Sequence, residues 1–156
     1  MVKNVFKKLG KKQKNNKGFS LVELIVVIAI MAVLVGVLAP QLIKYVEKSR
    51  EATDIQTCDN IATALKTYYA DEEVSASASA NDTTVTVTLS KTELGTGADA
   101  AVKDAGLTKA KIKGTKWTSD TIKIEYNKAD GTITYTGDSP YYHSENDQFK
   151  KGAKSK

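Results

Sequence analysis

The feature that most constrains this chain is an apolar run from Phe19 to Ala39 broken by a single charge, Glu23. As a helix rising about 1.5 Å per residue, such a run covers roughly 30 Å, the hydrocarbon thickness of a bilayer. A carboxylate within a span of this kind costs on the order of 2.5–3.5 kcal/mol, so Glu23 requires a partner. One candidate lies in the run itself. Ser20-Leu21-Val22-Glu23 is a capping-box pattern, in which the Ser20 hydroxyl accepts from the Glu23 amide and the Glu23 carboxylate accepts from the Ser20 amide, for about 1 kcal/mol.

Charge is distributed unevenly around this run. The formal net charge is +5, yet residues 1–18 hold seven lysines and no acid, which leaves the remainder slightly acidic. A nucleic-acid footprint requires its basic residues on a folded face, so no nucleic-acid partner is expected for the isolated subunit. Lysines clustered at one end of an apolar span hold that end in the cytoplasm and send the rest of the chain out. Residues 1–18 therefore read as a basic leader peptide, 19–39 as a transmembrane segment, and the remainder as an extracytoplasmic domain. Two cuts compete at this junction. An ordinary secretory signal is cut after the apolar run, behind Val37-Leu38-Ala39, which leaves Pro40 in an unfavourable place after the scissile bond. The other cut falls before the run.

Beyond the span, Pro40 lacks the amide that would bond the carbonyl of Gly36, so Gly36 and Pro40 mark a helix kink. Ile55, Cys58, Ala62, Leu65 and Tyr69 then recur in steps of three and four, one face of an amphipathic helix that needs a cover. Lys44–Glu47, Lys48–Glu51 and Arg50–Asp54 are spaced as ordinary surface ion pairs. The helix is expected over 19–73, its part beyond the membrane being 40–73, and a small-residue linker follows at 74–83. The head is expected at 84–145. Thr84 to Leu89 alternates as a strand burying Val85, Val87 and Leu89, and 98–106 reads as a short helix ended by glycine. Thr121–Asn127 and Thr132–Thr136 around Ala129-Asp130-Gly131 form an antiparallel hairpin, and Lys111–Thr118 is a further candidate strand. Residues 146–156 read as a polar C-terminal tail. The fold class is α+β: a long N-terminal helix packed by its C-terminal half against a small antiparallel sheet.

The residues at the junction carry a resemblance. Lys17-Gly18 followed by Phe19-Ser20-Leu21-Val22-Glu23-Leu24 and an unbroken apolar helix resembles the class III leader and N-terminal helix of the type IV pilins, over about residues 17–45. The resemblance implies a pilin fold and a cut between Gly18 and Phe19 by a prepilin peptidase, which also methylates Phe19. It implies that Glu23, fifth in the mature chain, pairs with the methylated amine of a neighbouring subunit. Such a buried pair selects register more than it adds stability. It further implies that the helix bends or melts around Gly36 and Pro40 when subunits pack. With one cysteine, Cys58, the chain cannot close the C-terminal disulfide of many pilins from outer-membrane bacteria, and the likeness to monoderm pilins is greater.

No catalytic constellation and no metal or cofactor site is read from the head. His143 is the lone histidine, and Asp130, Asp138, Glu145 and Asp147 fit no calcium-loop spacing. The expected function is that of a structural subunit of a type IV pilus, not an enzyme. Its implied partners are the prepilin peptidase, the pilus assembly machinery, the membrane before assembly, and other copies of itself in a helical filament. The implied locations are the cytoplasmic membrane, single-pass with the C-terminus outside, and then the cell-surface pilus. The alternatives are a major pseudopilin of type II secretion or DNA uptake, a monomeric membrane-anchored binding domain, and a secreted domain cut after Ala39.

Overall fold

The computed structural model describes residues 18–70, 83–95 and 99–154. Most of the expected leader and linker lies outside the described residues. The chain divides at Pro40 into two units, residues 1–40 and 41–156. Helix α1 (Leu21–Tyr69) contributes to both, with Pro40 inside it.

In the first unit the apolar residues lie on every face of the helix, a pattern that leaves no polar side to turn to water. Among the described residues of this unit every large apolar side chain of the helix, from Leu21 to Leu38, is exposed. The second unit is built the opposite way. From residue 41 onward α1 presents one buried face, made of Glu47, Glu51, Asp54, Cys58, Ile61, Ala62 and Leu65. This face follows the expected stripe and adds Ile61, while Ile55 and Tyr69 lie half-buried at its margin.

What covers the stripe is a three-stranded antiparallel sheet in the order β1 (Thr84–Ser90), β2 (Thr121–Asn127), β3 (Ile133–Thr136). Alternation puts Val85, Val87 and Leu89 of β1 opposite Tyr126, Ile124 and Ile122 of β2, so all six side chains share the core face. Tyr135 faces Ile124 from β3. Fully burying side chains of this size contributes about 1.5–3 kcal/mol each. The β2–β3 turn is pinned locally: the Asn127 carboxamide oxygen accepts from the Ala129 amide, the Asp130 carboxylate accepts from the Thr132 amide, and Gly131 takes a φ of 72° that a side chain would oppose. Helix α2 (Ala100–Asp104), between β1 and β2, matches the expected short helix. Asp99 caps it, and Gly106 ends it at a φ of 70°.

Two expectations are corrected. Residues 111–118 form no strand: the amides of Lys113, Gly114 and Thr115 donate to carboxylates of α1 instead of to a neighbouring strand. The segment after Glu145 is no loose tail. Strands β4 (Tyr142–Glu145) and β5 (Gln148–Lys151) form a second antiparallel hairpin, turned at Asn146 with a φ of 54°. Phe149 of β5 holds it down by packing its ring 5.2 Å from that of Tyr135 and 5.7 Å from that of Trp117. The α+β class holds, with a long N-terminal helix packed against a small antiparallel sheet.

Candidate functional site

Gly18, Phe19 and Ser20 lie outside regular structure just ahead of α1, and all three are exposed. A Cβ added to Gly18 would meet nothing within 4 Å. The peptide between Gly18 and Phe19 thus lies on open, non-helical backbone. One turn on, the Glu23 carboxylate accepts from the Ser20 amide at 2.8 Å, and the Ser20 carbonyl accepts from the Leu24 amide at 3.2 Å. The Glu23 half of the capping box is therefore present in the single chain, where the side chain is exposed, while no bond from the Glu23 amide to the Ser20 hydroxyl is seen among the described residues. A negative charge in the first turn also faces the positive end of the helix dipole. Gly36 and Pro40 both sit within α1, and Gly36 has no neighbouring atom within 4 Å of an added Cβ. By length and hydropathy the apolar part of α1 suffices to cross a membrane.

A second constellation escaped the sequence reading. Glu47, Glu51 and Asp54, expected as surface ion-pair partners, point into the second unit and are 6%, 0% and 0% exposed. Asp54 accepts from the amides of Lys113 at 2.8 Å and Gly114 at 2.7 Å, and from the indole Nε1 of Trp117 at 2.9 Å. Glu47 accepts from the Thr115 amide, and the Ser139 hydroxyl donates to Glu51 at 2.5 Å. That hydroxyl oxygen in turn accepts from the amides of Tyr141 and Tyr142. Three carboxylates thereby fasten two loops, 113–117 and 139–142, to one helix face. Gly114 is required by the fit: a Cβ there would lie 2.8 Å from Glu51 Cγ and from the indole nitrogen, and 2.9 Å from an Asp54 oxygen.

The electrostatics of the three acids differ. Burial disfavours charge on Glu47, but the Thr115 amide and hydroxyl, the Lys116 amide and Arg50 outweigh it and hold its carboxyl below the ordinary 4.5. Arg50 lies 3.7 Å away. For Glu51 burial prevails over the Ser139 hydrogen bond, and the charges of Glu47 and Asp54 push its pKa further up. Its Oε1 is buried without a hydrogen-bond partner among the described residues. A signal for this face was present in the sequence. Residues 47, 51 and 54 continue backwards, in steps of four and three, the stripe that contains Cys58, Ile61 and Leu65.

The remaining candidates carry no chemistry of their own. Cys58 is fully buried, and burial, with Asp54 and Asp59 nearby, pushes its thiol pKa far up, the environment of an inert side chain. His143 on β4 is half-buried, with Nδ1 2.9 Å from the Gly152 carbonyl oxygen. Asp130 serves its own turn and Glu145 pairs with Lys150 at 2.5 Å. Among the described residues no three His, Cys, Asp or Glu side chains are placed to hold a metal ion.

Comparison with known proteins bears on the first constellation. Residues 13–39 match the prokaryotic N-terminal methylation motif. The chain is 41% identical over 71 residues to "Prepilin peptidase-dependent protein A" of Clostridium perfringens (strain 13 / Type A), a match covering 44% of this chain and 50% of that protein. The chain thus spans about half the length of the curated relative it matches. No solved structure matches. The methylation motif and the similarity to a prepilin peptidase-dependent protein support a type IV pilin-like prepilin.

Proposed function

We propose that this chain is a structural subunit of a type IV pilus. In this reading a prepilin peptidase cuts between Gly18 and Phe19 and methylates the new amine of Phe19. The observation that carries the reading is the coincidence of the methylation motif at 13–39 with a helix whose large apolar side chains, from Leu21 to Val46, are all between 43% and 73% exposed. So large an apolar surface is unstable in water and requires lipid or other helices as its solvent. The anchored precursor uses lipid, and the filament replaces lipid with the same helix of neighbouring subunits.

Glu23 takes two successive roles in this scheme. In the membrane-bound chain it caps its own helix through the Ser20 amide, which lessens the cost of a carboxylate at the apolar boundary. On assembly it pairs with the methylated amine of a neighbour, since an unpaired charge in the filament core is far costlier than a paired one. Gly36 and Pro40 give the helix the weak backbone hydrogen bonding at which it bends or melts to fit its neighbours. The seven leader lysines hold residues 1–18 in the cytoplasm and leave the unit from residue 41 onward outside.

Intact mass and N-terminal sequencing of the protein from cells test the scheme. The expected product begins at a methylated Phe19 and is recovered in sheared surface filaments. A chain that begins at Pro40 is a secreted domain, and one that retains Met1 is a plain membrane anchor; either result overturns the proposal.

A further inference from the structure

The inward turn of Glu47 and Glu51 strips the outer helix surface of its expected counter-charges. Lys44 and Lys48, four residues apart on α1, are exposed, and neither has an ion pair or hydrogen bond among the described residues. Like charges at this spacing repel one another, so the pair gains from an anion set between them. They line a shallow recess of about 210 Å³ together with Gln41, Tyr45 and Tyr141. Tyr141 is placed there by the buried acid face: its amide donates to the Ser139 hydroxyl oxygen at 3.1 Å, and that hydroxyl is held by Glu51. The recess therefore has one basic side, two tyrosines, and a wall set by the second unit's own core.

Its position in the chain identifies the occupant. Lys44 follows Ala39, the last residue of the apolar run, by five residues. On any backbone path five residues reach at most about 18 Å, and as helix they rise about 7.5 Å. That is the depth of lipid headgroups beyond the hydrocarbon, where tyrosine is also favoured. We propose that the Lys44–Lys48 recess binds the phosphate of an anionic phospholipid in the outer leaflet, with Tyr45 and Tyr141 flanking the headgroup. The proposal rests on the membrane-anchored reading above and deepens it. It is compatible with the orientation of the chain, because two lysines bound to lipid phosphate outside remain outnumbered by the seven of the leader.

The test is native mass spectrometry of the full chain in detergent, titrated with phosphatidylglycerol or phosphatidylcholine. The variants are Lys44→Gln with Lys48→Gln and, as a charge-matched control, the exposed pair Lys109→Gln with Lys123→Gln. The leader is unchanged in both, so its own attraction for anionic lipid is a constant background. The expected result is retention of phosphatidylglycerol over phosphatidylcholine, with occupancy falling about tenfold in the first variant and unchanged in the control. Equal retention of the two lipids overturns the proposal, as does an equal loss in both variants. Loss of a dimer in place of lipid in the first variant also overturns it and assigns the recess to a second copy. Alkaline carbonate extraction of membranes from the producing cells separates anchoring from lipid choice: a chain that washes out refutes anchoring, whereas one that stays but shows no lipid preference refutes this proposal alone.

Discussion

The two parts of α1 invert the usual rule of burial. Before residue 47 the helix exposes valine, leucine and isoleucine, and after it the helix buries glutamate and aspartate. Neither half is anomalous once its partners are counted. Among the described residues nothing covers the apolar half, a surface suited to lipid or to other helices. The acidic half faces three loop amides, an indole N–H and a serine hydroxyl, which satisfy Asp54 and Glu47 and one oxygen of Glu51, leaving the other Glu51 oxygen without a partner among the described residues. A side chain's burial here follows from which groups it meets, and polarity alone does not rank it.

Substitutions at the two ends of the helix should separate these roles. The largest expected effect is at Glu23. Glu23→Ala and Glu23→Gln should both abolish filament formation, scored by electron microscopy of sheared cells, while leaving the stability of the unit from residue 41 onward unchanged. Filaments of Glu23→Gln in wild-type number would refute the intersubunit charge pair. Asp54→Ala should do the reverse. It leaves the Lys113 and Gly114 amides and the Trp117 indole without an acceptor and should cost about 3–5 kcal/mol, read by denaturant unfolding followed on Trp117 fluorescence. A loss below about 1 kcal/mol would show that water replaces the carboxylate and that the acid face is no clamp.

Gly114→Ala probes the same face from the loop side. The new methyl group meets Glu51, Asp54 and the indole at 2.8–2.9 Å, and the expected cost is about 1–3 kcal/mol. Gly36→Ala, in open space within the apolar half, should leave folding of the head untouched and is the matched control.

The smallest effects are those of pH, and they have opposite signs for neighbouring acids. The folded-state pKa of Glu51 is raised, so its contribution is fully present below the ordinary 4.5 and is lost as pH rises through the folded value. Glu51→Gln keeps an acceptor for Ser139 and should remove that loss, so the variant equals or exceeds the wild type in stability at neutral pH and loses its advantage towards pH 4. Glu47 is lowered, so its contribution is present above 4.5 and is lost as pH falls through its folded value. Glu47→Gln should therefore be less stable than wild type at neutral pH, by a margin that narrows on acidification. Parallel pH profiles for the two variants would disprove the distinction between them.

Much of the head was legible because its signals are local. Strict alternation in Thr84–Leu89 and Thr121–Asn127 places six side chains on one face whatever the third dimension does, and Ala129-Asp130-Gly131 dictates the turn between β2 and β3. Gly106 likewise stops α2 where a left-handed residue is needed. The β4–β5 hairpin was hidden because its strands are short and mostly polar, and its anchors are tertiary: Tyr142 in the core, Phe149 against Tyr135 and Trp117, and backbone bonds to Tyr135 and Gly137. Residues 111–118 misled for a related reason. Ile112 and Trp117 are buried as strand residues would be, but the backbone between them gives its hydrogen bonds to side chains.

By itself the sequence determined the elements whose physics is periodic: the apolar run, the start of the helix beside Ser20 and Glu23, and the alternating strands. Only the tertiary structure decided the direction of Glu47, Glu51 and Asp54. Their helical spacing fits a solvated ladder of ion pairs as well as it fits a buried clamp. The choice rests on donors roughly sixty to ninety residues later in the chain, and no local pattern records that those amides are unpaired until the loop has folded against them.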